Sequence, residues 1–216
     1  MTAKNSFILE RYCVGMLQTN CYLVADTDTR ESVVIDPGGN SAEIAARIKE
    51  LHLNLAAILN THAHFDHIME AWSLKQSAGG EIYLHRAEEP LILDRTVGLG
   101  AVPSAIAGAS AKTIDRWLKE GDKLEFGCIE LDVLETPGHS PGHVSFYLPK
   151  QKVIFVGDTL FAGSIGRTDF LGGSFEQLIR SVRAKIFPLD DATLVYPGHG
   201  PETTVGREKN ANPFFA

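Results

Sequence analysis

Four potential metal ligands fall within six positions of one run, Thr61-His62-Ala63-His64-Phe65-Asp66-His67. On an extended chain His62 and His64, two residues apart, project to the same side. Asp66 and His67 follow where the chain turns into a helix, and a turn at Phe65 lets the second pair face the first. Neutral imidazole and carboxylate suit zinc, iron or manganese, and such a run is hard to explain as packing.

Three more candidates follow later, each in a small-residue turn at the end of a strand-like segment: Pro137-Gly138-His139, Gly157-Asp158 and Pro197-Gly198-His199. Together the seven side chains suffice for two metal ions with three ligands each and one shared carboxylate. Five of the eight histidines belong to this set, which scattered surface histidines would not produce. His143, four residues after His139, reads as a supporting or packing residue, and His52 and His85 as structural.

Holding these residues requires a layered scaffold. Strands are expected over 6–14, 19–26, 32–36, 55–59 and 81–85, then 123–126, 129–135, 144–148, 153–156 and 193–196. Helices are expected over 42–52, capped by Ser41, and over 66–77 and 174–185. The run Leu55–Leu59 is apolar throughout, as in a strand covered on both faces, and delivers His62 at its C-terminal end, where α/β folds place their sites. Residues 88–117 read as a short helix and a long loop that could form a lid. Two similar halves without a linker predict one α/β domain, a four-layer αββα sandwich of two mixed β-sheets.

The 216 residues carry 44% hydrophobic and 22% charged side chains, as in a folded globular domain. The net charge of −7 would fall to roughly −3 with two bound divalent cations, a balance that disfavours a nucleic-acid partner. Neither a signal peptide nor a membrane span is evident, so the expected compartment is the cytoplasm. The odd number of cysteines, Cys13, Cys21 and Cys128, in apolar surroundings suggests three buried reduced thiols.

His62-x-His64-x-Asp66-His67, followed in order by His139, Asp158 and His199, resembles the metallo-β-lactamase superfamily. Thr-Asn-Cys-Tyr-Leu-Val, Val-Ile-Asp36-Pro-Gly, Pro-Gly-His-Ser-Pro-Gly-His, Val-Gly-Asp-Thr-Leu-Phe and Tyr-Pro-Gly-His-Gly-Pro are similar to its glyoxalase II (hydroxyacylglutathione hydrolase) branch. The resemblance runs from about residue 7 to the Asn212-Pro213-Phe214-Phe215 tail. It implies that His62, His64 and His139 hold one metal and Asp66, His67 and His199 the other, with Asp158 bridging and Asp36 orienting a ligand histidine from behind. It also implies a metal-bridging hydroxide as nucleophile, with Asp66 and Asp158 holding the metals and able to shuttle the proton.

Two divalent ions, zinc first and iron or manganese as alternatives, and a small-molecule thioester substrate, S-lactoylglutathione, are therefore expected. Arg167 matches the family's basic position near the substrate, but Asp169 and Gly200-Pro201 stand where longer enzymes carry tyrosines. Only 17 residues follow His199, so the helical glutathione-binding domain of those enzymes is not expected. Hydrolysis of another thioester or a lactone, and a mononuclear-iron persulfide dioxygenase, are the alternatives. The oligomeric state stays open.

Overall fold

The computed structural model describes residues 7–93 and 114–216. Six strands form the first sheet: β1 (Phe7–Val14), β2 (Thr19–Asp26), β3 (Glu31–Ile35), β4 (Asn54–Leu59), β5 (Glu81–His85) and β6 (Arg116–Leu118), paired in that order. The first three run as an antiparallel meander and the last three join in parallel, so the sheet is mixed. A second mixed sheet contains β7 (Lys123–Phe126), β8 (Ile129–Glu135), β9 (Val144–Leu148), β10 (Val153–Gly157), β13 (Leu194–Pro197) and β14 (Thr203–Thr204), after a small β11 (Leu160–Phe161) and β12 (Ser164–Ile165) hairpin has branched off.

Apolar residues on alternate faces of these strands explain the four layers. Val33, Ile35, Ala57 and Leu59 meet Val133, Phe146, Leu148 and Phe155 between the sheets. The opposite faces carry Val34 and Ile58, which pack under α1 (Ser41–Glu50) and α3 (Ala71–Ala78) through Ile44, Ile48, Ala71 and Leu74. On the far side Ile154 and Val156 pack under α5 (Phe175–Ser181), its π-helical continuation Val182–Ile186 and α6 (Val205–Ala211), through Leu178, Val182 and Val205. With period 2 and both faces apolar, each central strand is buried twice over. The fold is the αββα sandwich expected from the sequence.

Several boundaries differ from the expectation, each for a local reason. The helix expected over 66–77 is broken into α2 (Phe65–Ile68) and α3, because Glu70 leaves helical geometry at φ −105°, ψ 12° and its N–H goes to Pro37 O at 3.0 Å. Ser41 does not cap α1: Asn40 precedes the helix in left-handed conformation, and the Ser41 N–H is taken by Glu70 Oε2 at 2.6 Å. The helix at 174–185 starts where expected, with Ser174 Oγ accepting from Gln177 N at 3.3 Å, but widens into the π-helix at Val182. Helix α6 and the short strands β11, β12 and β14 carry too few residues to show a period. Cys21 alone of the three thiols is buried; Cys13 is exposed and Cys128 half-buried, so the expectation of three buried thiols fails, while none of the three is in a disulfide, as expected. Of the segment read as a helix and lid, residues 88–93 and 114–117 form the end of a 3-10 turn, α4 (Glu89–Leu93) and the start of β6; positions 94–113 lie outside the described residues. Among the described residues no helix is long and apolar enough to cross a membrane.

At one edge the two sheets are stitched directly by backbone. Val144 N donates to Thr61 O at 2.9 Å and Asn20 N to Gly198 O at 2.7 Å, so the start of β9 meets the end of β4 and the start of β2 meets the turn after β13. Five of the seven ligand candidates, His62, His64, His139, Asp158 and His199, lie on the segments that follow β4, β8, β10 and β13, and Asp66 and His67 lie in the adjoining helix α2 (Phe65–Ile68).

Candidate metal centre

After β4 the chain stays extended through His64, whose φ −66° and ψ 142° precede the first turn of α2. That geometry lets two histidines two residues apart converge. His62 Nε2 lies 3.0 Å from His64 Nδ1, which lies 2.8 Å from His139 Nε2. Asp66 and His67, in the first turn of α2, form the second group with His199: Asp66 Oδ2 is 3.4 Å from His67 Nε2 and 3.2 Å from His199 Nε2. Asp158 stands between the groups. Its Oδ2 is 3.6 Å from both His139 Nε2 and His199 Nε2, and its Oδ1 is 3.4 Å from His67 Nε2. All seven residues singled out from the sequence thus gather at one place, as three overlapping sets whose ligand atoms lie within 4.8 Å of one another.

Hydrogen bonds behind the histidines decide which ring nitrogen faces inward. Thr61 Oγ1 gives its proton to Asp36 Oδ2 at 2.7 Å, so towards His62 Nδ1, 3.0 Å away, it acts as acceptor. His62 Nδ1 therefore carries the proton, and Nε2 presents a lone pair. His67 Nδ1 donates to Asp36 Oδ2 at 2.9 Å and His139 Nδ1 donates to Arg167 O at 2.7 Å, with the same consequence for their Nε2 atoms. His64 Nδ1 can hold one proton at most between two bare nitrogens, a deficit that a cation fills. The second group has a deficit too, since His67 Nε2 and Asp158 Oδ1 are buried without a hydrogen-bond partner. Orphaned buried atoms of this kind need an explanation, and the donor set of imidazole and carboxylate fits divalent metal.

The electrostatics set the two groups apart. Burial, reinforced by neighbouring histidines, holds His62 well below its ordinary pKa and His64 at about 3; burial also lowers His139. For His67 burial acts downward too, but Asp158, Asp66 and Asp36 together push it well above the usual range. Burial would raise Asp66 and Asp158, yet the facing histidines, His67 foremost, bring Asp66 down to about 2 and Asp158 well below the carboxylate range. Both carboxylates are thus ionised at neutral pH.

Supporting residues come from distant parts of the chain. Asp36 accepts from Thr61 N and Oγ1, both at 2.7 Å, besides His67. Thr19 Oγ1 donates to Asp66 Oδ2 at 2.8 Å, and the buried carboxylate of Glu88 accepts from Ala63 N and Gly142 N. Burial raises the Glu88 carboxyl against the pull of those two N–H groups. His143 Nε2 accepts from Asp158 N at 3.1 Å, which puts it behind the central carboxylate; His85 bonds Ala87 N and Glu135 at the end of β5. The sequence reading did not single out Thr19 or Glu88, since neither lies in a ligand-like spacing. Arg167 reaches the centre through its carbonyl; its guanidinium pairs with Asp169 at 3.0 and 2.8 Å and stacks over Phe170 at 4.3 Å. The Phe170 ring in turn lies edge-on to His64 and His139, at 5.2 and 6.1 Å between centroids.

Comparison with known proteins agrees with this geometry. The family profile described as the metallo-beta-lactamase superfamily matches residues 14–199. A hydroxyacylglutathione hydrolase, GloC of Haemophilus influenzae, is 41% identical over 203 residues, 94% of this chain and 95% of the relative. Among solved structures, BLEG-1, a B3 metallo-beta-lactamase, superposes with a TM-score of 0.87 at 38% identity, covering 97% of this chain and 100% of its own. TTHA1623 in a di-iron-bound form gives 0.81 at 38% identity, covering 95% and 99%. Seven converging candidate ligands at the sheet edge, the four-layer fold and a profile match across most of the chain make this protein a hydrolase of the metallo-beta-lactamase superfamily, with that fold's capacity to bind divalent metal.

Proposed function

We propose that the protein hydrolyses the thioester of S-(2-hydroxyacyl)glutathione, S-lactoylglutathione in the first instance, with two divalent metal ions. The observation that carries this reading is the near full-length similarity to GloC, coupled with a complete seven-ligand constellation. His62, His64 and His139 would hold one ion and Asp66, His67 and His199 the other, with Asp158 shared. Zinc fits the donor set, and iron is equally compatible, as the di-iron neighbour illustrates. When bound, such ions supply Lewis acidity towards a carbonyl oxygen and towards water.

The chain's own contribution is orientation and charge. Asp36, Thr61 and Arg167 O hold the protons of His62, His67 and His139 on the outer nitrogens. Thr19 fixes the Asp66 carboxylate. Because Asp66 and Asp158 are both ionised at neutral pH, neither is a ready acid for an amine leaving group. A thiolate departs without one, which supports a thioester over a lactam. Asp169 already occupies the Arg167 guanidinium, so a substrate carboxylate would bind Arg167 by exchanging with it.

The test is thioester hydrolysis by the metal-loaded protein, assayed beside a lactone panel and a β-lactam. Turnover of S-lactoylglutathione that is lost in His64→Ala is the expected result. Turnover of the lactam or a lactone alone would replace this reading, and one bound iron with oxygen uptake would point to the dioxygenase.

Acidification should strip the two ions in a defined order. His62, His64 and His139 have lowered values, so protons compete for them below the ordinary histidine range; His67 and His199 have raised values and protonate first. As pH falls, the ion on Asp66, His67 and His199 is expected to leave before the one on the three histidines. Metal content after equilibration across pH 4–8 checks this; simultaneous loss of both ions would contradict it.

A further inference from the structure

Glu88 is a carboxylate with no exposure to solvent and no role in any ligand set. It lies in the 3-10 turn Arg86–Glu88, which is capped by His85 Nδ1 accepting from Ala87 N at 3.2 Å. Its two oxygens reach two different stretches of chain. Oε2 accepts from Ala63 N at 2.8 Å, between His62 and His64; Oε1 accepts from Gly142 N at 2.6 Å, three residues after His139 and immediately before His143. The loop that follows His139 is pressed close against it: a Cβ on Gly142 would stand 2.6 Å from His85 Nδ1 and 3.0 Å from Glu88 Cγ.

We infer that Glu88 is a positioning residue that clamps the His62–His64 segment to the His139–His143 loop, and so sets the spacing of the three histidine nitrogens as a preformed metal site. His64 Nδ1 lies 3.0 Å from His62 Nε2 and 2.8 Å from His139 Nε2, both of which present lone pairs, so holding the three imidazoles together before an ion arrives requires that their backbones be tied. One ionised carboxylate can tie both, since it offers an acceptor to each N–H and forms charge-assisted bonds. Glutamine cannot: its single carbonyl oxygen serves one N–H, and its amide group sets a donor against the other donor. Aspartate keeps both acceptors but shortens the reach by one methylene.

This inference rests on the two-metal reading of the centre, and the experiment separates the two. Metal affinity is measured by competition with a chelator, in two backgrounds that each leave one ligand set: Asp66→Ala for the three-histidine set, His139→Ala for the Asp66–His67–His199 set. Adding Glu88→Gln is expected to weaken metal binding about 10- to 100-fold in the first background, and by less than about threefold in the second. Equal losses in both backgrounds, or none in the first, overturn the inference. A wild-type chain that binds no metal at all would instead sink the reading of the centre. Should Glu88→Gln not fold, hydrogen exchange of the unmodified, metal-stripped protein decides. Amides of Ala63 and Gly142 protected without metal support the clamp, and amides that exchange as fast as exposed loop groups refute it.

Discussion

Asp158→Ala is expected to lower hydrolysis of the proposed thioester substrate about 10³-fold or more, and to leave fewer than two metal ions per chain. The carboxylate stands 3.4 to 3.6 Å from the inner nitrogens of His67, His139 and His199, so it touches both ligand sets at once. Shared as proposed between two ions, this carboxylate would both add to the affinity for each and fix the distance between them. Its loss therefore removes electrostatic stabilisation and alignment together, and a loss of about 4 kcal/mol corresponds to the thousandfold drop. Steady-state rates with elemental analysis of the same preparation check the result. Full activity with both ions retained would remove Asp158 from the centre.

Gly38→Ala is expected to be as damaging, without touching a ligand. A Cβ at this position would fall 1.3 Å from Asp66 O, 2.2 Å from Asp66 C and 3.0 Å from His67 N. These are backbone atoms of the first turn of α2 and cannot rotate aside. The residue's φ lies outside the left-handed region, so the penalty is steric. Either the Asp36–Asn40 loop or the helix turn that carries Asp66 and His67 must move. A cost of about 3 kcal/mol or more, accompanied by loss of the ion on that turn, is expected. Gly79→Ala is the control. Nothing lies within 4 Å of its Cβ, so only its glycine-favouring backbone, φ +86° and ψ −154°, resists the change, at about 1 to 3 kcal/mol with metal content unchanged. Urea unfolding of the two variants, with metal analysis, decides; equal midpoints would refute the steric argument.

The centre was more legible in the sequence than its support. His62, His64, Asp66 and His67 sit in one short run, and each remaining ligand follows Pro-Gly or Gly at a strand end, so residue type and local spacing were enough to select them. The layers were legible for a similar reason. Strands such as Ser32–Ile35 and Leu55–Leu59 are apolar on both faces, and only a sheet covered twice satisfies that pattern. The helix at 66–77 was misjudged because nothing local breaks it; the break comes from Pro37 O, which takes the Glu70 N–H.

Glu88 and Thr19 lay outside the sequence reading because neither announces its partner. The Glu88 oxygens bond N–H groups 25 and 54 positions away, and the Thr19 hydroxyl bonds a carboxylate 47 positions away. By itself the sequence determined which side chains can bind metal and that their strands form two covered sheets, since ligand chemistry and burial period are properties of neighbouring residues. Only the tertiary structure decided which histidine nitrogens face inward, how far apart they stand and which buried carboxylate ties their loops. Those depend on hydrogen bonds between segments that come together only when the sheets close on each other.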